Sequence, residues 1–295
     1  MTTPNPQKSL PYYLSPGSQI RVHHDSGQLC ATILPFSSSA HSTAHVVLVT
    51  VDDAPQNCPM QQGTPYIAKI FDARFTRSKR RPWSPELEAA AARLHRGQLA
   101  FDPKRGPDTL DADYDEDPVE WERLLFLQTA WLHHSECLAY HHLGIAGLQG
   151  TAVPRFYGAG QLDLTGTTPE RAIQPFVLFL EYIEDAVSLE AIDPRRLTEP
   201  LLREIMEGGN FLKRHGVIHT DPNEANFLLV PAHDPKRVVT LDFAEGWTRD
   251  AAKDEEDWQG ALKEWNPVHD RKVVLRRKFE SAGLPVPAVL ALPQA

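Results

Sequence analysis

A short polar segment framed by two apolar strands constrains this chain most. Val217-Ile218 runs into His219-Thr220-Asp221-Pro222-Asn223-Glu224-Ala225-Asn226, and Phe227-Leu228-Leu229 runs out of it. Val238-Val239-Thr240-Leu241-Asp242-Phe243 follows at hairpin distance. The pattern predicts strand, loop, strand, turn, strand. Asp221 and Asn226 fall five apart on the loop, and Asp242 closes the last strand, 21 residues after Asp221. An Asn carbonyl and an Asp carboxylate are hard oxygen ligands, and Mg²⁺ is held by such groups together with substrate phosphates and water. A second Asp can orient an attacking hydroxyl. The three side chains therefore suit metal-assisted phosphoryl transfer. The plainer alternative is a core histidine at His219, with acids that only cap turns.

The 295 residues suffice for one large domain or two lobes, and an apolar fraction of 41% supports a proper core. A net charge of −9 argues against nucleic acid or an anionic membrane as partner. No run approaches the roughly 20 apolar residues of a spanning helix, and the opening MTTPNPQKSLPYYL lacks the apolar stretch of a signal peptide. Cys30, Cys58 and Cys137 are scattered without CxxC spacing. That suits free thiols in a reducing compartment, so the cytoplasm is the expected location. The basic run Arg74 to Arg81 reads as a solvated loop, with a nuclear-import signal as the alternative. His133-His134 and His141-His142 read as helix surface or edge, not metal ligands, because adjacent residues do not share a helix face.

Residues 1–27 read as a flexible N-terminal segment. Three β-rich stretches at 28–36, 45–51 and 65–72 read as an antiparallel meander, with Lys69 inside the third. Ser84-Pro85-Glu86 opens a helix that Gly97 ends, and an acidic insertion follows near 98–117. Asp117-Pro118-x-Glu120 caps a longer helix that contains Glu136 and stops near Gly144. Strands are predicted at 153–158 and 176–183, and a helix built on Leu201, Leu202, Ile205, Met206, Phe211 and Leu212 leads into the polar loop.

The order H-x-D-x4-N, then D-F, resembles the catalytic loop and metal-binding segment of the protein-kinase-like superfamily. Ala68-Lys69-Ile70 resembles its lysine strand. AKIFDARF, ECLAYHHL, AVPRFYG, FLEYI and HTDPNEANFLL look like divergent, fungal-type members, with aminoglycoside-phosphotransferase-like proteins sharing the loop. The resemblance implies an α+β, two-lobed fold. Its antiparallel β-rich N-lobe would span 28–183 and its reduced helical C-lobe 184–295. It implies ATP and Mg²⁺, with Asp221 as catalytic base and Asn226 and Asp242 as metal ligands. Lys69 would contact the phosphates and Glu136 would hold Lys69. Ser38 and Ser39 would lie in the phosphate-covering loop. Glu181 and Ile183 would sit at the hinge that bonds the adenine. Plainer readings are an outward-facing lysine at 69 and a solvent-facing helix acid at 136. The implied activity is phosphoryl transfer to a hydroxyl acceptor, protein or small molecule. The alternative is a pseudokinase, a nucleotide- or partner-binding module without turnover.

Five departures from the family pattern stand out. Ser37 to Thr43 carries serines where kinases carry glycines. Thr220 replaces the arginine before the catalytic Asp, and Asn223 stands where protein kinases acting on Ser/Thr keep a lysine. Ala244 replaces the glycine after Asp242-Phe243, which narrows the backbone freedom expected there. No Ala-Pro-Glu element follows Asp242, so generic protein substrates are not expected.

Overall fold

The computed structural model describes residues 12–36, 44–75, 83–95, 117–165, 171–252 and 254–292. Contacts divide the chain into two compact units, one made of 1–134 and 157–182, the other of 135–156 and 183–295. The fold is mixed, with an antiparallel β-rich region and several helices. Much of the stretch read as an acidic insertion, together with Gly97, lies outside the described residues.

The first unit is built on strands β1 (Gln19–His24), β2 (Gly27–Leu34), β3 (His45–Asp53) and β4 (Pro65–Phe71). Helix α1 (Pro85–His95) follows, then α2 (Pro118–Ile145), whose residues from Ser135 on belong to the second unit, and then β5 (Phe156–Leu162) and β6 (Phe176–Glu181). The three-strand meander is present as β2, β3 and β4, but it is part of a closed barrel in the order β1-β2-β3-β4-β6-β5. Closure depends on β1, which falls inside the stretch read as flexible. Its residues alternate exposed and buried, so Ile20, Val22 and His24 turn inward while Gln19, Arg21 and His23 face out. Such alternation is the mark of a half-buried strand. The strand at 153–158 is displaced to Phe156–Leu162, where it pairs antiparallel with β1. Gly160 lies opposite His24, and a Cβ there would sit 2.3 Å from the His23 carbonyl oxygen. Only glycine permits that approach.

Ile20, Val22, Leu29, Val49, Ala68 and Phe179 belong to the barrel core. The opposite face of β4 and β6 packs on α2. Phe126 stacks on Phe176 with ring centroids 5.8 Å apart. His133 stacks on the same ring at 5.0 Å and meets Phe71 edge-on at 5.4 Å. His133 is therefore half-buried and packed against the sheet rather than lying on the open helix surface. Adjacency on a helix separates faces, but each residue can still meet a different neighbour. Asp117 caps α2 as its spacing predicts, accepting the Val119 and Glu120 amides at 3.0 and 3.1 Å.

A buried charge network closes one end of the β4 face. Asp72 accepts from Tyr13 Oη at 2.6 Å, Arg74 Nη2 at 2.7 Å and Arg171 Nη1 at 3.1 Å. Arg171 also bridges to Glu88 of α1, whose Oε1 accepts the Ala172 and Ile173 amides. Burial works to raise the Asp72 carboxyl, but Arg171 and Arg74 outweigh it and hold it below the usual carboxylate range.

The second unit continues with β7 (Val187–Ser188), α3 (Glu199–Arg214), β8 (Val217–Ile218), β9 (Phe227–Val230), β10 (Arg237–Thr240) and β11 (Trp247–Thr248). It ends in α4 (Glu255–Glu264) and α5 (Pro267–Ser281). Leu201, Leu202, Ile205, Met206 and Leu212 give α3 one apolar stripe. That stripe shares a core with Phe227 and Leu229 of β9 and Leu275 and Phe279 of α5. Among the described residues no helix is long and apolar enough to cross a membrane, and none of the three cysteines forms a disulfide.

Candidate functional site

The polar loop between β8 and β9 holds itself in shape before any ligand is considered. Asn223 Oδ1 accepts the Ala225 amide at 3.0 Å and starts a single 3-10 turn over Glu224–Asn226. Asp221 Oδ1 accepts the Asn223 amide at 3.2 Å. Asn226 Nδ2 then donates to Asp221 Oδ2 at 3.0 Å and to the Asp221 carbonyl at 3.1 Å. An amide that commits its nitrogen to Asp221 keeps its Oδ1 for another partner. Caps and turns, the plain alternative for these residues, are thus present, and they fix the same side chains that the functional reading singles out.

Strand register carries the second Asp to this loop. β9 and β10 pair antiparallel from Arg237↔Val230 to Thr240↔Phe227. Beyond the ladder the Leu241 amide donates to the Asn226 carbonyl at 2.8 Å. Asp242 follows directly and has φ = 61°, a left-handed conformation that Asp and Asn tolerate better than most residues. The freedom expected of a glycine at position 244 is used at 242 instead, and Ala244 needs no positive φ. Its amide reaches back to Asp242 Oδ1 at 3.3 Å. Phe243, fully buried, meets Tyr140 at 5.3 Å and His219 at 5.2 Å, both edge-on.

His219 is a core histidine, as the plain alternative has it. It is buried, and its Nε2 bonds the Leu241 carbonyl at 2.9 Å. Burial, reinforced by the positive charge of Arg271, lowers its pKa to about 4. A neutral ring tied to Leu241 couples the loop to the strand that carries Asp242. Thr220, in the position of the absent arginine, spends its hydroxyl on the Glu245 carbonyl at 2.9 Å.

The remaining predicted residues are distributed between the two units. Lys69 lies in β4 of the first unit, only 3% exposed, with its Nζ 5.3 Å from the Phe71 ring centroid. Glu136 lies in the second unit and is fully buried in α2. Burial removes the readings of an outward-facing lysine and a solvent-facing acid, since such groups are seldom buried without a specific reason. Glu181 ends β6 opposite Tyr66, and Ile183 lies just past that strand. Ser38 and Ser39 lie outside the described residues.

Two cations under the loop had no signal in the sequence. Lys278 of α5 bridges to Glu224 at 2.9 Å and donates to the Glu190 carbonyl at 3.1 Å. Arg271 of the same helix places its guanidinium 4.8 Å from the centroid of Phe227, the residue after Asn226. Both come from more than forty residues downstream, beyond the reach of any local pattern.

Mg²⁺ suits the donors present. Among the described residues no cluster of three His, Cys, Asp or Glu forms a metal cage. One carboxylate and one amide oxygen, at Asp242 and Asn226, match a Mg²⁺ that arrives with phosphate oxygens and keeps water.

No family model matches the chain, and no curated protein matches it. Among solved structures it is similar to the Rio2 kinase–ADP/Mg²⁺–phosphoaspartate complex from Chaetomium thermophilum, with 15% identity and a TM-score of 0.42. That similarity covers 87% of this chain and 57% of the Rio2 chain. It is also similar to WaaP in complex with acyl carrier protein, at 17% identity and a TM-score of 0.38, over 84% of this chain and 79% of that one. At such scores neither likeness carries an argument about activity, and the weight falls on the residues themselves.

Proposed function

We propose that this chain is an ATP- and Mg²⁺-dependent phosphotransferase of the kinase-like type, acting on a hydroxyl acceptor. The observation that carries the reading is the Asp221–Asn226 pair, hydrogen-bonded at 3.0 Å, with Asp242 tied to it through the Leu241–Asn226 backbone bond. In this reading Asp221 accepts or orients the proton of the acceptor hydroxyl. Its orientation is set by the Asn223 amide and the Asn226 side chain. Asn226 and Asp242 would hold Mg²⁺, which when bound offsets the charge of the transferring phosphate. Preorganisation supports this assignment: the loop's hydrogen bonds are made within the chain, so little reordering is left for the reacting state.

Lys69 and Glu136 keep the roles that the sequence resemblance implies, toward phosphates and toward the lysine. The acceptor follows from what the loop lacks. Asn223 spends its side chain on a turn and brings no positive charge, so a generic Ser/Thr protein substrate is not the expected acceptor. Small hydroxyl compounds or one specialised protein are.

The test is a thermal-shift titration with ATP, with and without Mg²⁺, followed by turnover across panels of amino-sugars, amino-alcohols and generic basic proteins. Mg²⁺-dependent stabilisation with Asp221-dependent turnover on a small hydroxyl compound is the expected result. Binding without turnover on any acceptor assigns the pseudokinase alternative. Absence of nucleotide binding sinks the phosphotransferase and leaves only a partner-binding module.

A further inference from the structure

The second unit buries a tyrosine hydroxyl that its packing does not explain. Tyr140 is fully buried in the part of α2 that belongs to this unit, and its Oη has no hydrogen-bond partner among the described residues. The ring itself is well held. It stacks on Phe156 with centroids 5.9 Å apart and meets Phe243 edge-on at 5.3 Å. A phenylalanine would make both contacts, so they do not account for the oxygen. A buried donor without a partner has lost its water and gained nothing in exchange.

The groups that act on this hydroxyl are acidic. Glu136, also fully buried, lies one helical turn earlier on α2, and residues four apart share a helix face. Asp242 directly precedes Phe243, the ring that Tyr140 meets. Burial first, then the charges of Glu136 and Asp242, push the phenol well above the ordinary tyrosine range, while the Asp242 backbone amide pulls the other way. Oη therefore keeps its proton and is a donor, free to rotate toward an acceptor. Of the two carboxylates, Asp242 is the one whose surroundings a metal would change. A carboxylate that ligates a metal is held in place by hydrogen bonds from a second layer of residues.

We propose that Tyr140 is a positioning residue for Asp242, its hydroxyl donating to the Asp242 carboxylate when that carboxylate takes Mg²⁺. The inference rests on the metal role given to Asp242 above. It adds a side-chain restraint from α2 to the backbone one at φ = 61°. Stability and metal binding then respond in opposite directions to the same oxygen, which costs stability in the metal-free chain and supports the ligand in the loaded one.

Tyr140→Phe removes that oxygen alone. Urea unfolding without nucleotide or metal should give a midpoint at or above the parent's, because an unmatched buried group is gone. Calorimetric binding of a non-hydrolysable ATP analogue at stepped MgCl₂ concentrations should require about tenfold more Mg²⁺ in the variant, with the Mg²⁺-free affinity unchanged. Phe156→Leu loosens the same ring from its other side and leaves the hydroxyl. It should lower the urea midpoint and keep the parent's Mg²⁺ requirement. A lower urea midpoint for Tyr140→Phe, an unchanged Mg²⁺ requirement in it, or an equal rise in Phe156→Leu would overturn the positioning role. A parent chain without Mg²⁺-dependent binding would instead fail the phosphotransferase reading, and the role of Tyr140 with it.

Discussion

Acid should loosen the first unit through His133, and the size of the effect follows from its surroundings. Its ring is stacked on Phe176 and edge-on to Phe71, and it bonds the Val177 carbonyl through Nε2 at a long 3.4 Å. Burial lowers its pKa from 6.5 to about 4, with the Val177 contact opposing only part of the shift. The folded chain therefore resists a proton that the unfolded chain accepts. Stability is complete above about pH 6.5 and is lost as the pH falls toward 4. At about 1.36 kcal/mol for each pKa unit, the full loss is about 3 kcal/mol, of which about 2 kcal/mol has gone by pH 5. His133→Phe keeps the ring contacts and removes the titration. Urea unfolding of parent and variant at pH 7.5 and pH 5.0 isolates the residue, because other acids and histidines contribute to both chains. The variant should lose about 2 kcal/mol less than the parent over that interval. Equal losses in the two chains, or an NMR titration that places His133 near 6.5, would refute the reasoning.

Asp242→Asn should keep the fold, because Asn also tolerates φ = 61°, yet weaken Mg²⁺-dependent ATP binding in calorimetry; unchanged affinity would remove Asp242 from the metal site. Asp221→Ala should retain nucleotide and lose most turnover, whereas Lys69→Ala should raise the apparent nucleotide constant as well as lower the rate. Identical steady-state profiles for those two variants would contradict separate roles. Arg171→Met should destabilise the first unit by about 3–5 kcal/mol, since it strips buried Asp72 and Glu88 of a shared cation. A urea midpoint within error of the parent would mean that the network adds little.

The loop and its flanking strands were legible because their information is local. Apolar runs mark β8, β9 and β10, and Asp221, Asn226 and Asp242 fall at spacings that one hairpin brings together. Capping made the starts of the first two α-helices readable at Ser84-Pro85 and Asp117-Pro118. What could not be read depends on contacts distant in sequence. β1 has only Ile20 and Val22 as aliphatic residues, too few to announce a strand, and its partner β5 is interrupted by two glycines. Arg271 and Lys278 are ordinary helix residues in sequence and become part of the loop's support only when α5 packs beneath it. The resemblance pointed to Lys69 and Glu136, but only folding could establish that both are buried.

Barrel closure decides where this chain can be shortened. A chain begun at residue 28, as the motif boundaries alone would suggest, lacks β1, the strand that pairs with both β2 and β5. The closed sheet would become an open one with two bare edges, each a row of unmatched backbone donors and acceptors. Such edges recruit strands from neighbouring molecules. The truncated protein would fail by self-association, with the loop at Asp221 still correct in sequence, and the fault would lie in the missing strand at 19–24.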